Sequence, residues 1–491
     1  MGAGGILPAP ICFQMLIRGA LMQESVSIRT VRSALTLLFA ASYVVNVFLR
    51  IPFLDDVNTV LMAVVLVMSV FVSTGASRSI GVILIAISAG LLLFSQASME
   101  EWVIALRKNA DLIVMFILIP LIGIPVQHGG YNESLRGLFA RHANSEGKYY
   151  SLVSGMAAIV GSLISIAAVP LTYEISRESR LAGNKKLLGT ALSRGFVTCM
   201  VWAPTSATIA LVVSVTSADW VSFAPCAIAC ALIAELVGVL MTVLAYRKVS
   251  KNPTAHTGGC AADSASLDAA SAKMDKAKMF ELIVFSLLLV VFITVVSQAF
   301  GLSAIIVVAM ASLVWPIVWM LFIKRFPTYC AEFKGTYFKK KLPNTKNQIV
   351  LFTGAGMLAH SIGYSGLGDM IAQVLMHTTG QSVILLTVSI VAIVLLTCAV
   401  GVHPIVATAV IGGAIDPALC GITAPYLALV LSMSWALGNT ICPASANVIA
   451  VADMVDASPV EVSHKWNALY TIVTAAVLIA TVLLMRSIGV L

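Results

Sequence analysis

The run Gly123-Ile-Pro-Val-Gln-His-Gly-Gly-Tyr131 returns 233 residues later as Gly356-Met-Leu-Ala-His-Ser-Ile-Gly-Tyr364. A long apolar segment leads into each copy. A hairpin-like apolar stretch follows each, and then a long apolar helix interrupted by a proline and a Ser-Ala pair. The interruptions read Trp202-Ala-Pro-Thr-Ser-Ala-Thr208 and Cys442-Pro-Ala-Ser-Ala-Asn447. The chain therefore reads as a duplication. Interrupted hydrophobic segments at matching places in two halves point to the binding site of a secondary transporter.

Composition sets the solvent. Of 491 residues, 59% are hydrophobic and 11% charged, with a mean hydropathy of +0.98. Soluble domains average about 45–50% apolar and roughly 25% charged. Segments long enough to cross a hydrocarbon core of about 30 Å recur along the chain. They do not alternate in polarity, which excludes a β-barrel. The class is an all-α polytopic membrane protein. The net charge of +8 is no nucleic-acid signal, because the basic residues crowd a few loops and no Lys or Arg lies from Asn347 to His464. Nine scattered cysteines without a CxxC pair give neither a disulfide framework nor a zinc site. No cofactor is expected beyond a coupling ion, H+ or Na+.

Eleven spans fit, at about 33–50, 57–75, 79–96, 109–127, 188–216, 222–246, 279–300, 303–323, 347–364, 425–452 and 464–486. Two further apolar stretches, 151–175 and 382–415, break at Ser165-Ile-Ala-Ala-Val-Pro170 and Gly401-Val-His-Pro404 and read as re-entrant hairpins. Their tips leave backbone groups unpaired, which a bilayer tolerates only against protein or a wet cavity. With the N-terminus in the cytoplasm, every Lys and Arg except Arg50, Arg107, Lys108 and Arg486 falls inside. The organisation is then 1–56, an N-terminal tail and first span; 57–246, a first unit; 247–278, a polar cytoplasmic linker; and 279–491, a second unit. Five spans per unit invert the second relative to the first.

A broken helix presents N–H groups at one half's start, which attract anions, and carbonyls at the other half's end, which hold cations. The candidate ligands are the small polar residues at the breaks and tips. In the first unit they are Ser165, Pro204, Thr205, Ser206 and Thr208; in the second, Gly401, His403, Pro404, Asn439, Thr440, Ser445 and Asn447. Taken singly, each also suits a kink or a small-residue helix contact; the duplication favours function. His403 either binds an anion or a coupling proton, or caps a helix as a neutral ring. Glu235, deep in a span, either serves substrate or proton or pairs with a polar neighbour. Tyr131 and Tyr364 suit an interface belt. His128 and His360 lie near the repeated run but do not align with each other.

One helix followed by two inverted units, each with a hairpin and a broken helix, resembles the ion transporter superfamily. That group holds divalent-anion:sodium symporters, arsenite-efflux permeases and the large membrane subunits of TRAP carriers. In its symporters the tips carry Ser-Asn-Thr and the breaks a Thr-Pro-Pro-Asn type turn. Pro443-Ala-Ser-Ala-Asn447 looks like that turn, Pro204-Thr-Ser-Ala-Thr208 like a copy with Thr for Asn, and neither tip carries Ser-Asn-Thr. The resemblance implies an elevator-type, ion-coupled carrier in a bacterial inner membrane, working as a homodimer.

The function expected is ion-coupled transport of a small polar solute, an organic anion such as a carboxylate. Within the class, the alternative is an oxyanion exporter or a TRAP-type large permease subunit, which needs accessory subunits. Outside it stands an integral-membrane enzyme, a lipid-linked glycan polymerase or transferase. Its sizeable surface loops rich in Asp, Arg or His are missing here, as is any hydrolase or nucleotide motif. The partners expected are the solute and the lipid bilayer, with no nucleic acid.

Overall fold

A computed structural model describes residues 26–249 and 275–491. The expected cytoplasmic tail before residue 26 and the core of the expected linker, 250–274, lie outside the described residues. Helix α1 (Val26–Leu49) stands first. After it, ten helical elements run in order and then run again. The first series is α2 (Pro52–Val72), α3 (Gly75–Phe94), α4 (Met99–Arg107), α5 (Ala110–Leu118, continued by Gly123–His128) and α6 (Tyr131–His142). It continues with α7 (Glu146–Ile164), α8 (Ala168–Ser176), α9 (Lys185–Met200), α10 (Ala207–Thr216) and α11 (Trp220–Val249). The second is α12 (Lys276–Phe300), α13 (Ala304–Phe322), α14 (Phe326–Glu332, prolonged by a wide turn to Lys341), α15 (Lys346–Tyr364) and α16 (Leu367–Thr379). It closes with α17 (Val383–Ala399), α18 (Pro404–Ala414), α19 (Ala424–Ile441), α20 (Ala446–Val455) and α21 (Ala468–Ser487, entered by a wide turn over Glu461–Asn467). There is no strand among the described residues. The protein is a polytopic helical membrane protein.

Ten helices among the described residues are long and apolar enough to span a bilayer. Burial sorts them. The most apolar windows of α2, α3 and α12 are only 22% buried, whereas that of Met99–His128 is 83% buried and that of Ala424–Val455 is 89% buried. The first group is apolar because lipid surrounds it; the second packs against protein on nearly every side.

By length and hydropathy, 146–176 qualifies as one 31-residue span. Its hydrogen bonds show otherwise. Tyr149, near the start of α7, donates its hydroxyl to the carbonyl of Ser176, at the end of α8, at 3.2 Å. Twenty-seven residues of straight helix would hold those groups about 40 Å apart. The chain therefore doubles back, and the turn is made at Ser165, with φ 54°. The second hairpin turns at Gly401, φ 97°. A Cβ on Gly438 of α19 would meet Cys398 Sγ at 2.8 Å and Pro404 Cβ at 3.4 Å, so both arms reach one residue.

The two series interlock. Helix α15 lies along α3, and reciprocally α5 lies along α13. The α3–α15 crossing is backbone on backbone: a Cβ on Gly354 would meet the Gly81 carbonyl oxygen at 2.7 Å. The broken helices α9–α10 and α19–α20 cross at the centre, and α11 packs on α21.

Four amphipathic helices, α4, α6, α14 and α16, were not among the expected spans. They explain the two histidines that fail to align. His360 Nε2 on α15 meets Glu101 Oε2 on α4 at 2.8 Å, and His128 Nε2 meets Glu332 Oε1 on α14 at 3.5 Å. Each pair joins one series to the other. Substituting His360 by Ala strands Glu101 in a half-buried position and is expected to cost about 1–2 kcal/mol. Comparative melting of the detergent-solubilised variant would check it; an unchanged midpoint would mean the pair is solvated and idle.

One correction concerns charge placement. Arg194, counted among the basic residues of a cytoplasmic loop, sits inside α9 and is 6% exposed. The loop ends at Asn184, which caps α9.

Candidate functional site

At both breaks, a serine joins the severed ends in the same way. Ser206 Oγ accepts from Ile209 N at 3.2 Å and donates to the Met200 carbonyl at 3.5 Å. Ser445 Oγ accepts from Val448 N at 3.2 Å and donates to the Asn439 carbonyl at 2.9 Å. A hydroxyl is donor and acceptor at once, so one side chain caps the distal half-helix and satisfies a carbonyl orphaned by the proximal one. Pro204 and Pro443 stop each proximal helix because they bring no N–H. The remaining first-turn N–H groups of α10 and α20 form the positive ends of helix dipoles.

Each break holds the hairpin of its own series. Thr205 donates to the Ser162 carbonyl beside the first tip, and Cys442 Sγ reaches the Val402 carbonyl of the second at 3.6 Å. The second arm of each hairpin packs on the distal half-helix of the opposite series: α18 on α10, and α8 on α20. Asn447 ties the breaks to the centre, donating from Nδ2 to Ser193 Oγ at 3.1 Å and to its carbonyl at 3.3 Å. Asn447 Oδ1 is buried without a partner, as is the hydroxyl of its counterpart Thr208. Orphaned acceptors of this kind cost about 1–3 kcal/mol each, and a ligand's donor would remove that cost.

The remaining candidates divide. His403 caps α18, its Nδ1 accepting from Ile405 N at 3.2 Å, with its ring edge-on to Trp435. An accepting Nδ1 carries no proton. Asn439 Nδ2 donates to the Trp435 carbonyl at 3.2 Å, and Thr440 shares a 2.7 Å bond with Thr471 of α21. Ser165 and Gly401 supply the left-handed tips. A serine at φ 54° is strained by about 1–3 kcal/mol where glycine would not be.

The two breaks differ in exposure. Residues Ala203 to Ser206 are buried. Around the second break, Pro443 and Ala444 are half-buried, and Ala446, Ile449 and Asp453 form an exposed stripe along α20. At that stripe's end, Lys185 pairs with Asp456 at 2.9 Å and holds its carboxyl below the usual carboxylate range. A cavity of about 470 Å³ lies elsewhere, at the far end of α10, among Lys108, Asp111, Ser214, Asp219 and Gln298.

The sequence singled out Glu235 but not the polar cluster around it behind the first break. Arg194 donates from Nε to Asn467 Oδ1 at 2.8 Å and from Nη2 to the Trp466 carbonyl at 2.9 Å. Its guanidinium lies 4.5 Å from the Tyr470 ring centroid. Ser154 of α7 donates to Glu235 of α11. The local signals were Glu235, deep in a span, and Arg194, ten residues into an otherwise apolar-faced helix.

Comparison by sequence finds no family profile and no curated relative that matches. Comparison of folds does find a relative in shape. The chain superposes on the YdaH transporter of Alcanivorax borkumensis, whose crystal structure is described as revealing an unusual topology, with a TM-score of 0.57 and 15% identity. The match covers 84% of this chain and 98% of that one, so the fold is shared over nearly the whole of the transporter.

Proposed function

We propose that this protein is an ion-coupled secondary transporter of a small polar solute, an organic anion such as a carboxylate. Alternating access is of the elevator type, and the chain sits in a bacterial inner membrane with its N-terminus in the cytoplasm. The observation that carries the reading is the matched pair of serine-bridged breaks, each seated against its own hairpin and the opposite one. Bent packing alone does not call for the same capping device twice. The dipole ends of α10 and α20 and the orphaned acceptors at Asn447 and Thr208 favour a ligand that both accepts and donates hydrogen bonds. One break buried and the other bordered by an exposed stripe along α20 is what a carrier halted on one side of its cycle presents. Membership of the ion transporter superfamily is part of the same proposal, supported by the order of hairpins and breaks.

Thermal stabilisation of the purified protein by small carboxylates, sulfonates and oxyanions, with and without sodium, tests the solute class. A ligand at a hundred times its dissociation constant raises stability by about 2.7 kcal/mol. No stabilisation by any anion, with stabilisation by amines or sugars, would overturn the anion assignment.

Sidedness is tested by single cysteines in a cysteine-free chain. One at exposed Lys340 is expected to be shielded from an impermeant thiol reagent in intact cells, and one at exposed Gln381 to be labelled. Thr379, two residues away, is 3% exposed and would stay silent on either side. The reverse pattern would turn the molecule over.

A further inference from the structure

Glu235 lies midway along α11 with Oε1 held by Ser154, while Oε2 is buried and has no hydrogen-bond partner. Tyr150 Oη, from α7, is also buried without a partner. The two face one another's neighbourhood because residue 238, one turn along from Glu235, is glycine. A Cβ there would run into the Tyr150 hydroxyl and come within 3.1 Å of its Cζ. Arg194 of α9 completes the group, its guanidinium 6.0 Å from the Tyr150 ring centroid and 4.5 Å from that of Tyr470. It lies within electrostatic reach of Glu235, yet no ion pair joins them among the described residues. Its hydrogen bonds go to Asn467 and Trp466 instead.

An ionised carboxylate with one oxygen buried and unpaired is costly. A proton on that oxygen removes the charge and turns an orphaned acceptor into a donor. The neighbouring charge makes the ionised form reachable as well. We propose that Glu235 is where this carrier binds its coupling proton, with Arg194 as the counter-charge that the carboxylate faces when the proton leaves. Loading breaks an O–H bond of a hydronium ion and forms one on Oε2, leaving water; unloading runs the same exchange in reverse and leaves the carboxylate opposite the guanidinium. The inference rests on the carrier reading and names its ion.

The location connects this site to the breaks. Ser154, which holds Oε1, is in the first arm of the first hairpin. Arg194 is in α9, one residue from Ser193, to which Asn447 of the opposite break is tied. The groups facing Glu235 are Ser154 and Tyr150 from α7, Arg194 and Thr198 from α9, and Tyr470 from α21. Helix α19, which also packs on α11, carries no acidic or basic side chain. A change of charge at Glu235 is therefore answered by Arg194 rather than by another carboxylate.

The test uses the full-length protein in lipid nanodiscs and two readouts. Infrared difference spectra taken as pH is raised to about 9, where buried carboxyls titrate, should lose a protonated-carboxyl band in the wild type. That band should be missing from Glu235→Gln, present in the control Glu101→Gln, and restored in Glu235→Asp. A band unchanged in Glu235→Gln overturns the proposal. Next, the affinity of whichever anion stabilises the wild type should vary with pH, by up to about tenfold per unit, and become flat in Glu235→Gln. A wild-type profile as flat as the variant's also overturns it. A panel in which no solute binds, while the band behaves as expected, sinks the carrier reading instead and leaves the proton site standing.

Discussion

Replacing Gly195 by valine is expected to destabilise the protein by about 3 kcal/mol or more and to abolish transport. Gly195 is where α9 meets the first hairpin. A Cβ there would lie 2.5 Å from Ser154 Cα and 2.7 Å from its carbonyl carbon. These are backbone atoms of a packed helix, so no rotamer change makes room, and the arms must separate. Overpacking costs about 1–3 kcal/mol where side chains can adjust; here they cannot. Separation also draws Ser154 away from Glu235 and Ser162 away from Thr205. One position along from Ser154 the sign reverses. Gly155 has nothing within 4 Å of its Cβ direction, so Gly155→Ala should be neutral or gain up to about 1 kcal/mol in helix propensity. Thermal unfolding of the two variants beside the wild type decides the matter. Similar midpoints for Gly195→Val and Gly155→Ala would mean that the hairpin does not rest on α9.

The second large effect is expected at the serines of the breaks. Ser445→Ala removes the cap of α20 and the bond to Asn439, at about 1–2 kcal/mol. Adding Asn447→Ala cuts the tie to Ser193. All these groups are buried, so the double variant loses stability as well as solute affinity, the latter by about tenfold or more. Ser206→Ala should act in the same sense at the first break. Ser445→Thr keeps the hydroxyl that makes both bonds, so stability and affinity should both return toward wild type. Full uptake by Ser445→Ala with Asn447→Ala, measured in proteoliposomes with the solute identified by stabilisation, would move the binding site away from the breaks.

What could be read from the sequence was whatever a short stretch announces by itself. Both breaks and both hairpins were visible because a proline there coincides with small residues at matching places in the two halves, and the returning Gly-to-Tyr run fixed their pairing. A proline alone is no such signal, since Pro225 and Pro316 lie inside unbroken α11 and α13. The amphipathic helices were invisible because a search for spans passes over segments too short or too polar to cross a membrane. Arg194 was misplaced for a related reason. Its burial is made acceptable by Asn467, Trp466 and Tyr470, which lie some 270 residues away, and no local pattern encodes so distant a partner. The same holds for the His128 and His360 pairs, whose one-residue misalignment hid an equivalence that only their glutamates reveal. At His403 the sequence left two roles open, and a single hydrogen bond to the Ile405 amide now describes the resting one.

The interlocking of the two series constrains how the chain is made. Helix α3 emerges from the ribosome some 270 residues before α15, the helix that covers its glycine face, and α5 must wait for α13. During that interval the early spans have lipid where their final neighbours will be. A bilayer permits the delay, since acyl tails are as apolar as leucine and exert no pressure toward premature pairing. Insertion and assembly are therefore separate events here, and the half-synthesised chain is a set of waiting spans rather than half of the finished fold.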